Sequence, residues 1–130
     1  MEIRIAAAAI TRADGATLLV RKRGTTAFMQ PGGKIDGEET PIAALCRELS
    51  EELGLSIRPE EASYLGLFSA PAANEPGYVV TAEMFLLSTD ADIQPQAEIE
   101  EILWLHPEDA EGLELAPLTK DKVLPAIWAQ

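Results

Sequence analysis

Three glutamates, Glu48, Glu51 and Glu52, fall within one five-residue stretch. At about 100° per residue of helix they share one sector, with Glu48 and Glu52 one turn and about 6 Å apart. Like charges at that spacing destabilise a helix by roughly 0.2–0.5 kcal/mol. Arg47, four residues before Glu51, neutralises only part of the cluster. A bound cation removes the conflict. Carboxylate oxygens with open positions for water and phosphate suit Mg²⁺ or Mn²⁺, whereas zinc calls for clustered His and Cys. This chain has one of each, His106 and Cys46. Just ahead, Pro31-Gly32-Gly33-Lys34 offers backbone amides free of Cβ obstruction, a carbonyl able to reach a metal, and a lysine to meet phosphate charge.

These groups need elements to hold them. Thr40 can cap a helix with Pro41 at its first position, and Gly54 stops it, giving a helix from Pro41 to Leu53. Ile42, Leu45, Cys46, Leu49 and Leu53 form its buried face, which accounts for Cys46. The carboxylates are expected beside that face and next to solvent. Glu2–Ile10 and Ala16–Lys22 read as antiparallel strands about the turn Ala13-Asp14-Gly15. Arg23 to Glu39 is a glycine-rich loop in which Ala27-Phe28-Met29 can form a short strand. Ser63–Ala70, Tyr78–Ser88 and Glu100–Leu105 have strand composition, the first two joined through Ala73-Asn74-Glu75-Pro76-Gly77. Thr119–Trp128 reads as a helix bent at Pro125. This order implies an α/β protein with helices on both faces of a mixed sheet.

The 130 residues, 47% hydrophobic and 25% charged, make one globular domain over 1–130. The longest apolar run, Ile5 to Ile10, is six residues, against roughly 20 for a membrane span. With no secretory leader and a single cysteine, the expected compartment is the cytoplasm. The net charge of −12 arises entirely after residue 58. Before that point eight basic groups balance eight acidic ones, and beyond it Lys120 and Lys122 face fourteen acids. Such a surface repels nucleic acid, so phosphate chemistry belongs to a small ligand held by the first half.

Gly33, five residues, Glu39, seven residues, Arg47-Glu48-Leu49, one residue, Glu51-Glu52, one residue, Gly54-Leu55 resembles the Nudix box at all nine fixed positions. The resemblance to the Nudix hydrolase family implies an α/β/α sandwich that cleaves a nucleoside diphosphate linked to another moiety X by water attack at phosphorus, using Mg²⁺. It implies that Glu48, Glu51, Glu52 and the Gly32 carbonyl bind the metal. Arg47 and Glu39 then orient the carboxylates, and Gly54 and Leu55 are structural. Family members often add a glutamate from outside the box. Glu98 is the first choice here, Glu100 and Glu101 compete with it, and a box glutamate such as Glu51 is the rival base. The implied catalytic set is Glu51, Glu52, Glu98 and Arg47.

Phe28-x-x-Pro31-Gly32-Gly33-Lys34 and the short chain resemble MutT-like members, which implies a nucleoside triphosphate, oxidised or not, cleaved to monophosphate and pyrophosphate. That subgroup's purine-reading asparagine near the last helix has no counterpart, since the sole asparagine is Asn74. Within Arg21-Lys22-Arg23, Arg23 is the first choice for meeting substrate, with Lys34, and Phe28 and Gln30 are candidates for a nucleobase pocket. The alternatives are a non-catalytic nucleotide-sensing module and a pyrophosphatase of the ADP-ribose type. A monomer or homodimer is expected. His106, Trp104 and Trp128 read as turn and packing residues.

Overall fold

A strand buried on both faces needs no polar alternate positions, and β1 (Glu2–Thr11), which contains the Ile5–Ile10 run, is such a strand. Ala6, Ala8 and Ile10 project to one side, against Ala44, Leu45, Leu49 and Leu53 of α1 (Pro41–Leu53). Ala7 and Ala9 project to the other, into a cluster with Leu118 and Val123. The computed structural model describes residues 1–128; Ala129 and Gln130 lie outside them.

The sheet runs β4 (Ser63–Pro71), β5 (Val79–Ser88), β1, β2 (Thr17–Lys22), β6 (Ile99–Leu105), with β3 (Gly32–Lys34) paired to β1. β5 is parallel to β1 from Glu2↔Val79 to Thr11↔Ser88, and the remaining pairings are antiparallel. β1 meets β2 at Thr11↔Thr17, and β3 occupies the same side of β1 further back, at Ile5 to Ala7. That exchange carries Gly32 and Gly33 into the middle of the sheet. The helical segments cover opposite faces, so the architecture is the expected α/β/α sandwich around a mixed sheet.

α1 has the expected bounds. Thr40 Oγ1 accepts from the Ala43 N–H at 3.2 Å, and Gly54 closes the other end in the left-handed region at φ 62°. The five long strands end within one residue of their expected limits. Two expectations need correcting. Ala27-Phe28-Met29 makes only isolated bridges, Val20↔Met29 and Phe28↔Leu115, while the strand forms over Gly32–Lys34. The reason lies in the backbone: a Cβ on Gly32 would overlap the Ala6 carbonyl, so only glycine lets the chain lie so close to β1. In the last helix the disturbance precedes Pro125 as a π-turn, Thr119–Val123, before α2 (Leu124–Trp128). The Leu124 N–H reaches back five residues to the Thr119 carbonyl, in keeping with a proline that has no N–H to continue the ordinary ladder. Among the described residues no helix is long and apolar enough to cross a membrane.

Candidate active site

Glu52 is 2% exposed. This corrects the expectation that it lies next to solvent. The sequence held the signal, since Glu52 follows Leu45 by seven residues, two turns of helix, and so points the same way. Its Oε1 accepts from the Gly32 N–H at 3.2 Å, and its Oε2 has no partner. Burial pushes the carboxyl up to about 8, against the opposing pull of the Gly32 hydrogen bond and the Lys22 charge.

Glu48 packs over Gly33, whose missing Cβ is what makes room for its carboxylate. Arg47 holds that carboxylate through Nη1 at 2.9 Å and grips Glu39 with two bonds, from Nε at 2.8 Å and Nη2 at 2.9 Å. Nη2 also donates to the Lys34 carbonyl at 3.0 Å. The Arg47 guanidinium and the Asp36 N–H hold the Glu39 carboxyl down to about 2. Glu51 is more exposed, 3.7 Å from Arg47 Nη1. As they stand, no three acidic, His or Cys side chains among the described residues are grouped to hold a metal. The donor set nevertheless fits a hard cation: Glu52 presents a buried, unpartnered carboxylate oxygen beside Glu48, on a glycine cradle that a Cβ would fill.

Because a bidentate grip cannot be reproduced by an ammonium, Arg47→Lys is expected to lower kcat/KM by roughly 10- to 100-fold through misplaced carboxylates. Steady-state kinetics check this, and a value within twofold of wild type would show that Arg47 does not orient them.

Across the Gly32–Lys34 wall lies a cleft of about 120 Å³. Lys22, Gln30, Lys34, Asn74, Glu75 and Thr119 supply polar groups, and Ile5 and Val80 are among its apolar lining. Of the residues singled out in the sequence, Lys34 and Gln30 line this cleft, and Phe28 and Arg23 do not. Phe28 packs with Leu19, Leu105 and Leu124 in the core beneath α2. Arg23 is largely exposed, 3.9 Å from Glu100. The neighbouring Lys22 does line the cleft, with Nζ 3.3 Å from Glu98. In the β2–β6 pairing Arg21 faces Glu101 and Lys22 faces Ile99, so the extra residue of the bulge is Glu100 on β6. Arg21 is held by Glu101 at 2.8 Å. Trp104 packs against the core with Arg12 over its ring, and His106, expected as a turn or surface residue, sits at the end of β6, 3.6 Å from Asp14.

The Nudix domain model matches residues 1–127, and the chain belongs to that family. An ADP-ribose pyrophosphatase of Methanocaldococcus jannaschii is 32% identical over 63% of this chain and 49% of its own length. An RNA pyrophosphohydrolase of Halorhodospira halophila is 43% identical over 41% of the chain and 28% of its own length. The matches thus span less than half of either relative. The crystal structure of a MutT protein from Methanosarcina mazei is 25% identical with a TM-score of 0.73, covering 89% of this chain and 85% of that one.

Proposed function

We propose that this single domain hydrolyses a phosphoanhydride bond of a small nucleotide, a nucleoside diphosphate linked to X, and that X is phosphate, making the substrate a nucleoside triphosphate cleaved to monophosphate and pyrophosphate. The observation that carries this reading is Glu52, buried with a free carboxylate oxygen on one side of a glycine wall whose other side lines a cleft. Phosphoryl transfer asks chiefly for charge neutralisation and in-line positioning. Glu48, Glu51, Glu52 and the Gly32 carbonyl would hold Mg²⁺ (or Mn²⁺), which when bound there supplies Lewis-acid polarisation of phosphate and acidification of water. Arg47 keeps Glu48 and Glu39 in place, Lys34 and Lys22 meet phosphate oxygens, and Glu98 accepts the proton of the attacking water. The acidic second half keeps nucleic acid away, in line with a cytoplasmic metabolite enzyme.

An ADP-ribose-type pyrophosphatase is the second reading, favoured by the relative of that name. A panel of nucleoside triphosphates and ADP-ribose, assayed with Mg²⁺ for phosphate, pyrophosphate and monophosphate, decides between them. We expect pyrophosphate release from at least one triphosphate to be the most efficient reaction. ADP-ribose hydrolysis tenfold more efficient than every triphosphate would overturn that choice, and no turnover of any nucleotide would favour a sensing module.

A further inference from the structure

The floor of the cleft holds an unpaired hydrogen-bond donor. Gln30 is 6% exposed, and its Oε1 accepts from the Thr119 hydroxyl at 2.7 Å. Its Nε2 is buried and has no partner. Thr119 is itself 1% exposed and sits where the π-turn begins. Since the hydroxyl proton is directed at Oε1, the carboxamide is set with its NH₂ as the free end. Buried amide donors are rarely left unpaired, and a group that is unpaired and lines a cleft is satisfied when an acceptor arrives. Around it Ile3, Ile5, Val80 and Leu118 offer apolar surface suited to the faces of a flat ring. Of the other polar side chains lining the cleft, Lys22 and Lys34 are donors, Asn74 and Thr119 can donate or accept, and Glu75 is an acceptor.

Resting on the reading that the substrate is a nucleotide whose base enters this cleft, we propose that Gln30, fixed by Thr119, selects bases by the carbonyl they present. Gln30 Nε2 donates to an exocyclic carbonyl oxygen of guanine, hypoxanthine, uracil or thymine. Adenine and cytosine place an amino group at the equivalent position, which sets donor against donor and leaves both unsatisfied.

Matched pairs isolate the effect: inosine triphosphate (ITP) against ATP, and UTP against CTP, differ at this edge while sharing ring size, phosphates and every other exocyclic group. Wild-type kcat/KM is expected to favour the carbonyl member of each pair by roughly 10- to 100-fold, the range for leaving one buried donor unsatisfied. Dissociation constants of the corresponding monophosphates, which require no turnover, should follow the same order. In Gln30→Leu, which keeps the volume and removes the donor, both ratios should fall to within about threefold of one. In Thr119→Val the carboxamide is free to turn, and discrimination should relax while Gln30 remains. Thermal melts establish that each variant is folded. Equal or reversed preference in the wild type would overturn the proposal without requiring any variant, and so would undiminished preference in a folded Gln30→Leu protein. Either result would leave nucleotide hydrolysis standing. Failure of the wild type to bind or hydrolyse any nucleotide would instead remove the functional reading on which the proposal rests.

Discussion

Glu52→Gln is expected to lower kcat by about 10³-fold or more at saturating Mg²⁺, the loss of several kcal/mol of charge stabilisation at the reacting phosphate. The fold should survive. The amide has the carboxyl's shape, and its oxygen can still accept from the Gly32 N–H that Glu52 Oε1 now engages. Stability should respond with a definite sign. A carboxyl raised by burial from 4.5 to about 8 stabilises the folded, metal-free protein in its neutral form. That contribution is complete below about pH 4.5 and is lost progressively as pH rises through about 8. In chelator, therefore, wild-type Tm should fall across that window, while Glu52→Gln, which never ionises, should lack this component and be the more stable form at alkaline pH. Melts from mildly acidic to alkaline pH, with and without Mg²⁺, test this together with kcat. A variant that turns over like wild type would dismiss Glu52 as a metal ligand.

Glu98→Gln should lose about 10²-fold in kcat, as expected when a general base is removed. Glu98 immediately precedes β6 and reaches Lys22, which lines the cleft, and its negative charge contributes to raising the Glu52 carboxyl. Its rivals are engaged elsewhere, Glu101 with Arg21 and Glu100 with Arg23. Profiles of kcat against pH for Glu98→Gln, Glu100→Gln and Glu101→Gln at saturating Mg²⁺ separate the cases. A near-normal Glu98→Gln profile would return the task to a glutamate of the box, Glu51 first.

What could be read in the sequence was what local chemistry decides. Both ends of α1 are set by residues within a turn of them, Thr40 with Pro41 and Gly54, so its limits were legible. The central strand announced itself by an unbroken apolar run. The Glu39–Arg47 pair came from box spacing, and the structure joins the two with two hydrogen bonds. The direction of Glu52 was legible from its spacing to Leu45, but the Gly32 N–H that meets it comes from β3, 20 residues away, and other features likewise depended on distant partners. The Gln30–Thr119 bond joins residues 89 positions apart. Phe28 packs in the core with Leu19, Leu105 and Leu124, since lying beside a glycine-rich loop says nothing about which face of the sheet a side chain takes.

The alternation of small residues along β1 has a consequence for how such a protein changes over generations. Ala6 and Ala8 belong to the layer under the carboxylate helix, and Ala7 to the layer that includes Leu118 and Val80 of the cleft. Because the two layers touch through a sheet rather than through each other, cleft residues such as Val80 and Leu118 can be exchanged with little disturbance to the packing that positions Glu48 and Glu52. Selectivity and reactivity can drift separately on this scaffold, with Gly32 and Gly33 as the narrow seam at which a mutation is felt on both sides.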